Sequence, residues 1–240
     1  MKYTDIIALT GEGAAHPGGF EGTVQLLESL KLPQGAKILE VGCGTGRTAC
    51  YMAKSGLSVT ALDRNPRMLA KARARARVEG VQVNFVEGSL LQMPFQDGEF
   101  DYVFAESVTV FVDPLSALSE YARVLVTGGR LFDRELFATR QNRQLEDMMR
   151  ELYEIHSLPT VGEWVDRMNE AKFNKPVVWA GEGSSQQLFG PHSAALLDPN
   201  QMMDLNLLVT PEVLDFFERN QTFIQEFGQE LGYAVLIGTK

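Results

Sequence analysis

The sequence predicts an α/β protein: a doubly wound, mostly parallel sheet with helices on both faces. Three observations carry this. Ile38, Leu39 and Val41 form the short apolar run of a strand buried on both faces, and it stops at Gly42, Gly44 and Gly46, where a helical pattern begins near Thr45. A second run, Leu57 to Leu62, ends in Asp63, 21 positions after Gly42. Further strand-like runs then alternate with helical stretches, as repeated strand, helix and parallel strand units require.

The elements follow in order. Met1 to Gly19 contains GEGAAHPGG, too rich in glycine for regular structure, and reads as a loop or flap. Phe20, Val24, Leu27 and Leu30 recur at helical spacing and lead into the turn at Leu32-Pro33-Gln34-Gly35. After Asp63, the pair Asn65-Pro66 starts a helix with Met68, Leu69, Ala72 and Ala76 inward and Gly80 at its end. A third strand takes in Val81, Val83 and Phe85; a fourth, Phe100 to Ala105, delivers Glu106 and Ser107 to the edge where ligands bind in such sheets. Asp113-Pro114 starts another helix, and Gly128-Gly129 turns the chain into a fifth strand, Arg130 to Leu136.

That strand carries Asp133 and Glu135, which is unusual for a strand buried on both faces. Asp133 is expected to pair with an arginine; Glu135 either pairs likewise or faces an open site. Beyond Arg140, a helix is expected over Gln141 to Ser157 and another capped near Thr160 or Gly162. Strands follow at Val177 to Ala180 and Gly232 to Thr239, with a helix from Pro211 to Leu231 between them.

Composition narrows the class. At 240 residues and 45% hydrophobic content the chain suits one globular domain with a full core. No apolar run approaches the ~18 residues of a membrane span, and the start, MKYTDIIALTGEG, lacks the apolar segment of a secretory signal, so a cytoplasmic protein is expected. Cys43 and Cys50 have neither disulfide-framework nor zinc spacing, and no metal is expected. The net charge is -9, and residues 141–240 hold 7 Lys and Arg against 15 Asp and Glu, which repels nucleic acid. The one basic cluster, Arg64, Arg67, Lys71, Arg73, Arg75 and Arg77, reads as a solvated helix face.

The glycine turn indicates the chemistry. Glycine admits positive φ and close approach of a ligand to the backbone, and the helix start offers free N–H donors. An acid at the tip of the next strand, Asp63, is placed to accept hydrogen bonds from ribose hydroxyls. The spacing G-x-G-x-G, with Arg47 where a dinucleotide fingerprint has its third glycine, and Glu40 before the loop, disfavour a pyrophosphate and suit a ligand carrying an ammonium group.

Glu40 to Gly46 followed by Asp63 resembles the S-adenosylmethionine (SAM) loop of class I methyltransferases. FVEGSLLQMPFQDGEFDYVFAESV, Phe85 to Val108, is similar to that family's third strand, adenine turn and fourth strand. ARVLVTGGRLFDRELF, Ala122 to Phe137, is similar to its fifth-strand turn, with Thr127 at the usual proline position. The four blocks cover about residues 20–140 and lie nearest the small-molecule branch that resembles ubiquinone and menaquinone methyltransferases.

The resemblance implies a Rossmann-like sheet of seven strands, the last inserted antiparallel between the fifth and sixth. It divides the chain into a flap (1–19), a cofactor core (20–140) and a C-terminal part (141–240) whose insertion, about 181–231, covers the substrate. It assigns SAM to Glu40, Gly42, Cys43, Gly44, Gly46, Asp63, Arg64, Ser89, Leu90 and Glu106. Relatives often have Asp where this chain has Ser89, and an apolar residue where it has Arg64.

A methyl transfer needs a base only when the acceptor must lose a proton. His16, in a flap expected to close over the reacting end of the cofactor, is the first candidate and His192 the second; His16 reads equally as an exposed residue of a mobile leader. Phe189, His192, Met202 and Met203 either line the acceptor pocket or pack the insertion onto the core. The expected activity is methyl transfer to a small-molecule acceptor. A SAM-binding sensor and an NAD-dependent oxidoreductase are the alternatives.

Overall fold

The computed structural model describes residues 2–179, 198–204 and 210–240. Seven strands form one sheet in the order β3-β2-β1-β4-β5-β7-β6. They are β1 (Lys37–Val41), β2 (Ser58–Asp63), β3 (Asn84–Glu87), β4 (Phe100–Glu106), β5 (Leu125–Ala138), β6 (Asn174–Trp179) and β7 (Leu231–Thr239). The pairs β1/β2, β1/β4, β2/β3 and β4/β5 are parallel, and β7 runs antiparallel to both β5 and β6. The expected sheet and its reversed last strand are therefore present.

Parallel neighbours on both sides explain β1: four of its five residues are buried, and only Lys37 at its start is exposed. Chain order reverses between β1 and β4, so the connections that follow them lead away in opposite directions and leave a crevice at their C-terminal ends.

The helices are α1 (Tyr3–Thr10), α2 (Gly19–Leu30), α3 (Arg47–Lys54), α4 (Pro66–Glu79), α5 (Pro114–Val124), α6 (Arg143–Tyr153), α7 (Val161–Glu170) and α8 (Pro211–Phe227). Asn65 caps α4 by accepting from the N–H groups of Arg67 and Met68, and Gly80 ends it in the left-handed conformation. Thr160 and Glu163 close a capping box on α7.

Several elements differ from expectation: β3 begins at Asn84, so Val81 and Val83 precede it, and β6 begins at Asn174. The flap contains a helix, α1, with only residues 11–18 irregular. In α2 the buried positions are Gly19, Thr23, Leu26 and Leu27, a face rotated from the expected stripe because the Thr23 hydroxyl bonds Glu106 inside the protein. Strand β5 is 14 residues long, beginning at Leu125.

The basic cluster on α4 is not wholly a solvated face. Arg75 is 1% exposed; its Nε donates to the Thr45 carbonyl at 3.0 Å, and its other nitrogens reach Asp198 and Glu79. Lys71 Nζ donates to the carbonyls of Ala8 at 2.7 Å and Met202 at 2.6 Å, and lies 3.3 Å from Asp204. Residues 198–204 thus form a strap across α4 that holds the last turn of α1. Asp204 N donates to the Leu9 carbonyl and Gln201 Nε2 to that of Thr10, so three of the carbonyls left open at the end of α1 are satisfied from outside the helix.

Breaking this clasp on one side should be costly. Arg75→Met is expected to destabilise the protein by about 3 kcal/mol, because it leaves Asp198 buried without its partner. Arg75→Met with Asp198→Leu should recover most of that. Denaturant midpoints of the two single variants and the double decide it; simple additivity would remove the ion pair as the cause.

Candidate functional site

The crevice between β1 and β4 opens into a cleft of about 1270 Å³, its mouth included. Its walls come from α1, residues 12–16, the glycine turn, the ends of β2 and β4, the turn at 88–90, and residues 107–112. Of the expected cofactor residues, all but Gly46 line it, and so does His16. His192 and Phe189 lie outside the described residues. Met202 and Met203 are described and do not line the cleft; Met202 sits in the strap against Gly11, and Met203 is 48% exposed.

The three glycines do different work. At Gly42, φ +69, an added Cβ would lie 2.6 Å from the Val108 side chain, so this glycine lets the turn pack against the segment after β4. At Gly44, φ +52, a Cβ would meet no protein atom within 4 Å; the backbone here is bare toward the cleft. At Gly46, φ +73, an added Cβ would lie 2.9 Å from the Ala72 side chain of α4, so this glycine serves helix packing.

Glu40, at the inner end of β1, is 7% exposed. One oxygen accepts from the Ala49 N–H, while Oε2 is buried with no partner. Burial, with the charges of Glu106 and Asp63 adding to it, pushes this carboxyl well above the usual carboxylate range. A buried carboxyl oxygen left over beside bare backbone calls for a cation or an N–H donor from a ligand.

Asp63 Oδ2 accepts from Gly44 N at 2.8 Å and Oδ1 from Asn65 N at 2.8 Å. Each oxygen keeps a lone pair, and burial raises the carboxyl's pKa against those two hydrogen bonds. Ser89 Oγ accepts from Leu91 N at 3.2 Å, which leaves its own proton to donate. Arg64 is exposed at the rim, and Cys43 is buried in the turn with its thiol pushed up by burial.

Glu106 is engaged within the protein. Thr23 Oγ1 donates to it at 2.8 Å, Arg134 Nε lies 3.0 Å from Oε1, and His16 Nε2 lies 3.4 Å from Oε2. His16 is therefore not an exposed leader residue: its side chain is 8% exposed and lines the cleft. Burial lowers its pKa, and the Glu106 charge opposes that shift more than Arg134 reinforces it.

The acids of β5 are also paired, but not with arginine. Asp133 accepts from Thr109 Oγ1 at 2.9 Å, and Glu135 Oε1 accepts from the N–H groups of Val108 at 2.9 Å and Thr109 at 2.7 Å. Asp133 Oδ1 and Glu135 Oε2 are both buried without a hydrogen-bond partner, and burial raises both carboxyls. A proton shared between the two side chains would satisfy both oxygens. The expected arginine partner for Asp133 fails because β5 alternates: Arg134 projects to the opposite face, toward α2.

Tyr3, Thr4 and Ile7 of α1, and Phe111 and Val112 after β4, were not identified in the sequence as site residues, yet they line the cleft. The signal was present in the apolar positions Ile6, Ile7 and Leu9, too short a run to define a helix. Among the described residues no helix is long and apolar enough to cross a membrane.

Comparison with known proteins agrees with this geometry. A methyltransferase-domain family profile matches residues 39–133. A Bacillus subtilis methyltransferase described as uncharacterized, YodH, is 28% identical over 240 residues, covering 100% of this chain and 99% of that protein. The O-methyltransferase rstn1 of Aspergillus nomiae is 32% identical over 179 residues, 66% of this chain and 80% of that one. In fold, phosphoethanolamine N-methyltransferase 2 of Haemonchus contortus, solved with S-adenosyl-L-methionine, superposes with a TM-score of 0.80 at 18% identity, covering 99% of this chain and 57% of that chain. With a methyltransferase relative 32% identical and covered over 80% of its length, a matching methyltransferase-domain profile and a seven-stranded sheet around a carboxylate-lined glycine turn, the chain belongs to the class I SAM-dependent methyltransferases.

Proposed function

We propose that this enzyme methylates a small-molecule acceptor held in the cleft beneath α1. The observation that carries the reading is the roof: α1 lines the cleft and is latched to α4 by the strap, which favours a compact acceptor over a polymer. The acidic C-terminal part of the chain also disfavours nucleic acid.

The residues present suit SAM. Glu40 Oε2, buried and unpartnered, would take the ammonium of its amino-acid end; the bare backbone at Cys43 and Gly44 would lie along it; Asp63 would accept from the ribose hydroxyls. Arg64, Ser89 and Leu90 would border the adenine. Gly42 supports this arrangement through Val108, and Gly46 through Ala72. Glu106 closes the floor between the cofactor turn and α2. Bound there, SAM supplies an electrophilic methyl group on a sulfonium with a neutral thioether as leaving group. The chain's own part is to align the acceptor and keep out water, so orientation supplies most of the acceleration.

Methyl-labelled SAM, incubated with the protein and extract of the source cell, should place label in the small-molecule fraction. Label in protein or nucleic acid would overturn the acceptor class and keep the chemistry. Asp63→Ala is expected to weaken SAM binding roughly 10- to 100-fold, as loss of charged hydrogen bonds to two hydroxyls predicts; unchanged affinity by calorimetry would sink its assignment.

A further inference from the structure

Resting on the reading above, we propose that Ser107 holds the reacting atom of the acceptor and that this atom is an amine nitrogen. Ser107 is the first residue after β4 and lines the cleft, yet its Oγ is buried without a hydrogen-bond partner. Its backbone is left-handed, φ +52, a conformation that serine rarely adopts. The other non-glycine residues with positive φ, Lys31, Glu154, Lys172 and Lys175, do not line the cleft. An orphaned hydroxyl on a strained backbone in a cleft wall marks a residue kept for a ligand.

The surroundings hold Ser107 in place. Its N–H donates to the Arg134 carbonyl at 2.7 Å, Val108 N donates to Glu135 Oε1 at 2.9 Å, and the Val108 side chain packs against Gly42. Parallel register pairs Val41 with Ala105, so Ser107, two residues farther on, stands beside the glycine turn. Phe111 and Val112 continue the same wall, and Tyr3 of α1 stacks on Phe111 with ring centres 6.0 Å apart. Ser107 thus borders the cofactor turn on one side and an apolar, aromatic space on the other.

The groups lining the cleft select the nucleophile. Among its described residues none is a base suited to a hydroxyl. Both ring nitrogens of His16 face protein groups, Nδ1 the Pro17 carbonyl at 3.3 Å and Nε2 Thr23 and Glu106 at 3.4 Å each. Glu106 is engaged by Thr23 and Arg134, and Glu12 and Asp63 already accept backbone N–H groups. Burial pushes the Tyr3 phenol up to about 12, so it stays protonated. Four carboxyl groups, Glu12, Glu40, Asp63 and Glu106, line the cleft against one arginine, Arg64, which disfavours an acceptor that arrives as an anion.

An amine needs neither a base nor a negative charge. Its free base, having left its proton in water, carries both the lone pair that attacks and an N–H that Ser107 Oγ can accept. In the step, that lone pair forms the new bond to the methyl carbon as the carbon–sulfur bond of SAM breaks, its electrons remaining on sulfur. The positive charge passes to nitrogen, and the surplus proton leaves with the ammonium product.

Benzylamine, benzyl alcohol and benzyl mercaptan present one aromatic body with three different reacting atoms. With methyl-labelled SAM, benzylamine should be methylated in preference to the other two. In Ser107→Ala and Ser107→Gly, kcat for benzylamine should fall roughly 10-fold, as loss of one aligned hydrogen bond predicts, with affinity for S-adenosylhomocysteine unchanged. Both variants should melt no lower than the wild type, since a buried unpartnered hydroxyl is removed, and Ser107→Gly also relieves the backbone.

A position kept only for its backbone would show the opposite in Ser107→Gly: full activity and a higher melting temperature. Undiminished kcat in that variant would overturn the role of Ser107, as would a loss of S-adenosylhomocysteine affinity, which would put the hydroxyl on the cofactor. Preference for the alcohol or the thiol, or turnover of none of the three, would overturn the amine class. Failure of the wild type to bind S-adenosylhomocysteine would overturn the methyl-transfer reading as well. If Ser107→Ala does not fold, Ser107→Gly decides.

Discussion

Glu40→Gln is expected to weaken SAM binding by roughly 100-fold while leaving the cofactor-free protein at least as stable. The two effects have one origin. Glu40 is buried, with one oxygen accepting from Ala49 and the other free, and the charges of Glu106 and Asp63 lie close by. Without a cation, ionising this carboxyl is unfavourable; the amide of glutamine keeps an acceptor for Ala49 and removes the charge. With the ammonium of SAM beside it, the same amide presents a donor to a donor, and the ion pair is lost.

Because the Glu40 pKa is raised in the free protein and an ammonium would favour the charged form, binding should release a proton. Calorimetry in buffers of unlike ionisation enthalpy should detect that release in the wild type and its loss in Glu40→Gln. Equal proton balance in both proteins would place the ammonium elsewhere.

The second large effect lies behind the cleft. Glu135→Ala is expected to cost about 3 kcal/mol, since it strands the buried N–H groups of Val108 and Thr109 and removes the partner of Asp133. Glu135→Gln should be benign at neutral pH and better than wild type in alkali. Its carbonyl oxygen accepts the same two N–H groups, and its amide donates permanently to Asp133.

The sign follows from linkage. Burial pushes Asp133 up to about 7 and Glu135 well above the carboxylate range, both higher than in an unfolded chain. Stability from the protonated pair is therefore complete in acid and lost as pH rises through the folded-state values. Melting temperatures measured from pH 6 to pH 9 should fall more steeply in the wild type than in Glu135→Gln; parallel curves would exclude the shared proton. Val108 packs on Gly42, so loosening this pair loosens the cofactor turn as well.

Much of the cofactor half was legible because its determinants are local. The apolar run at Ile38–Val41, the glycines after it, Asp63 at the next strand tip and the Asn65-Pro66 start of α4 all lie within a few turns of chain. The roof was not, because its determinants are remote. The helix α1 has eight residues, too few to be stable alone, and its end is held by carbonyl contacts to Lys71, Gln201 and Asp204.

Arg75 looked like one of six solvated cations since its partner, Asp198, is 123 positions away. Nothing in a helix's own pattern reveals such a partner. Asp133 and Glu135 were correctly singled out as anomalous in a buried strand, yet their partners are a hydroxyl and backbone N–H groups from the crossover that precedes β5, which carry no charge signature.

The strap also has a consequence for the order of folding. The contact between Thr10 and Gln201 spans 191 positions, whereas the cofactor residues from β1 to β5 fall between Lys37 and Ala138. Closing so long a loop carries its entropic cost before the contact forms. Strands β1 to β5 can assemble while α1 still waits for its anchor, so a growing chain is expected to pass through a stage with a formed glycine turn and an open top. Docking of α1 is therefore expected late in folding, and its rate should respond to changes at Lys71, Gln201 or Asp204 that leave the earlier sheet untouched.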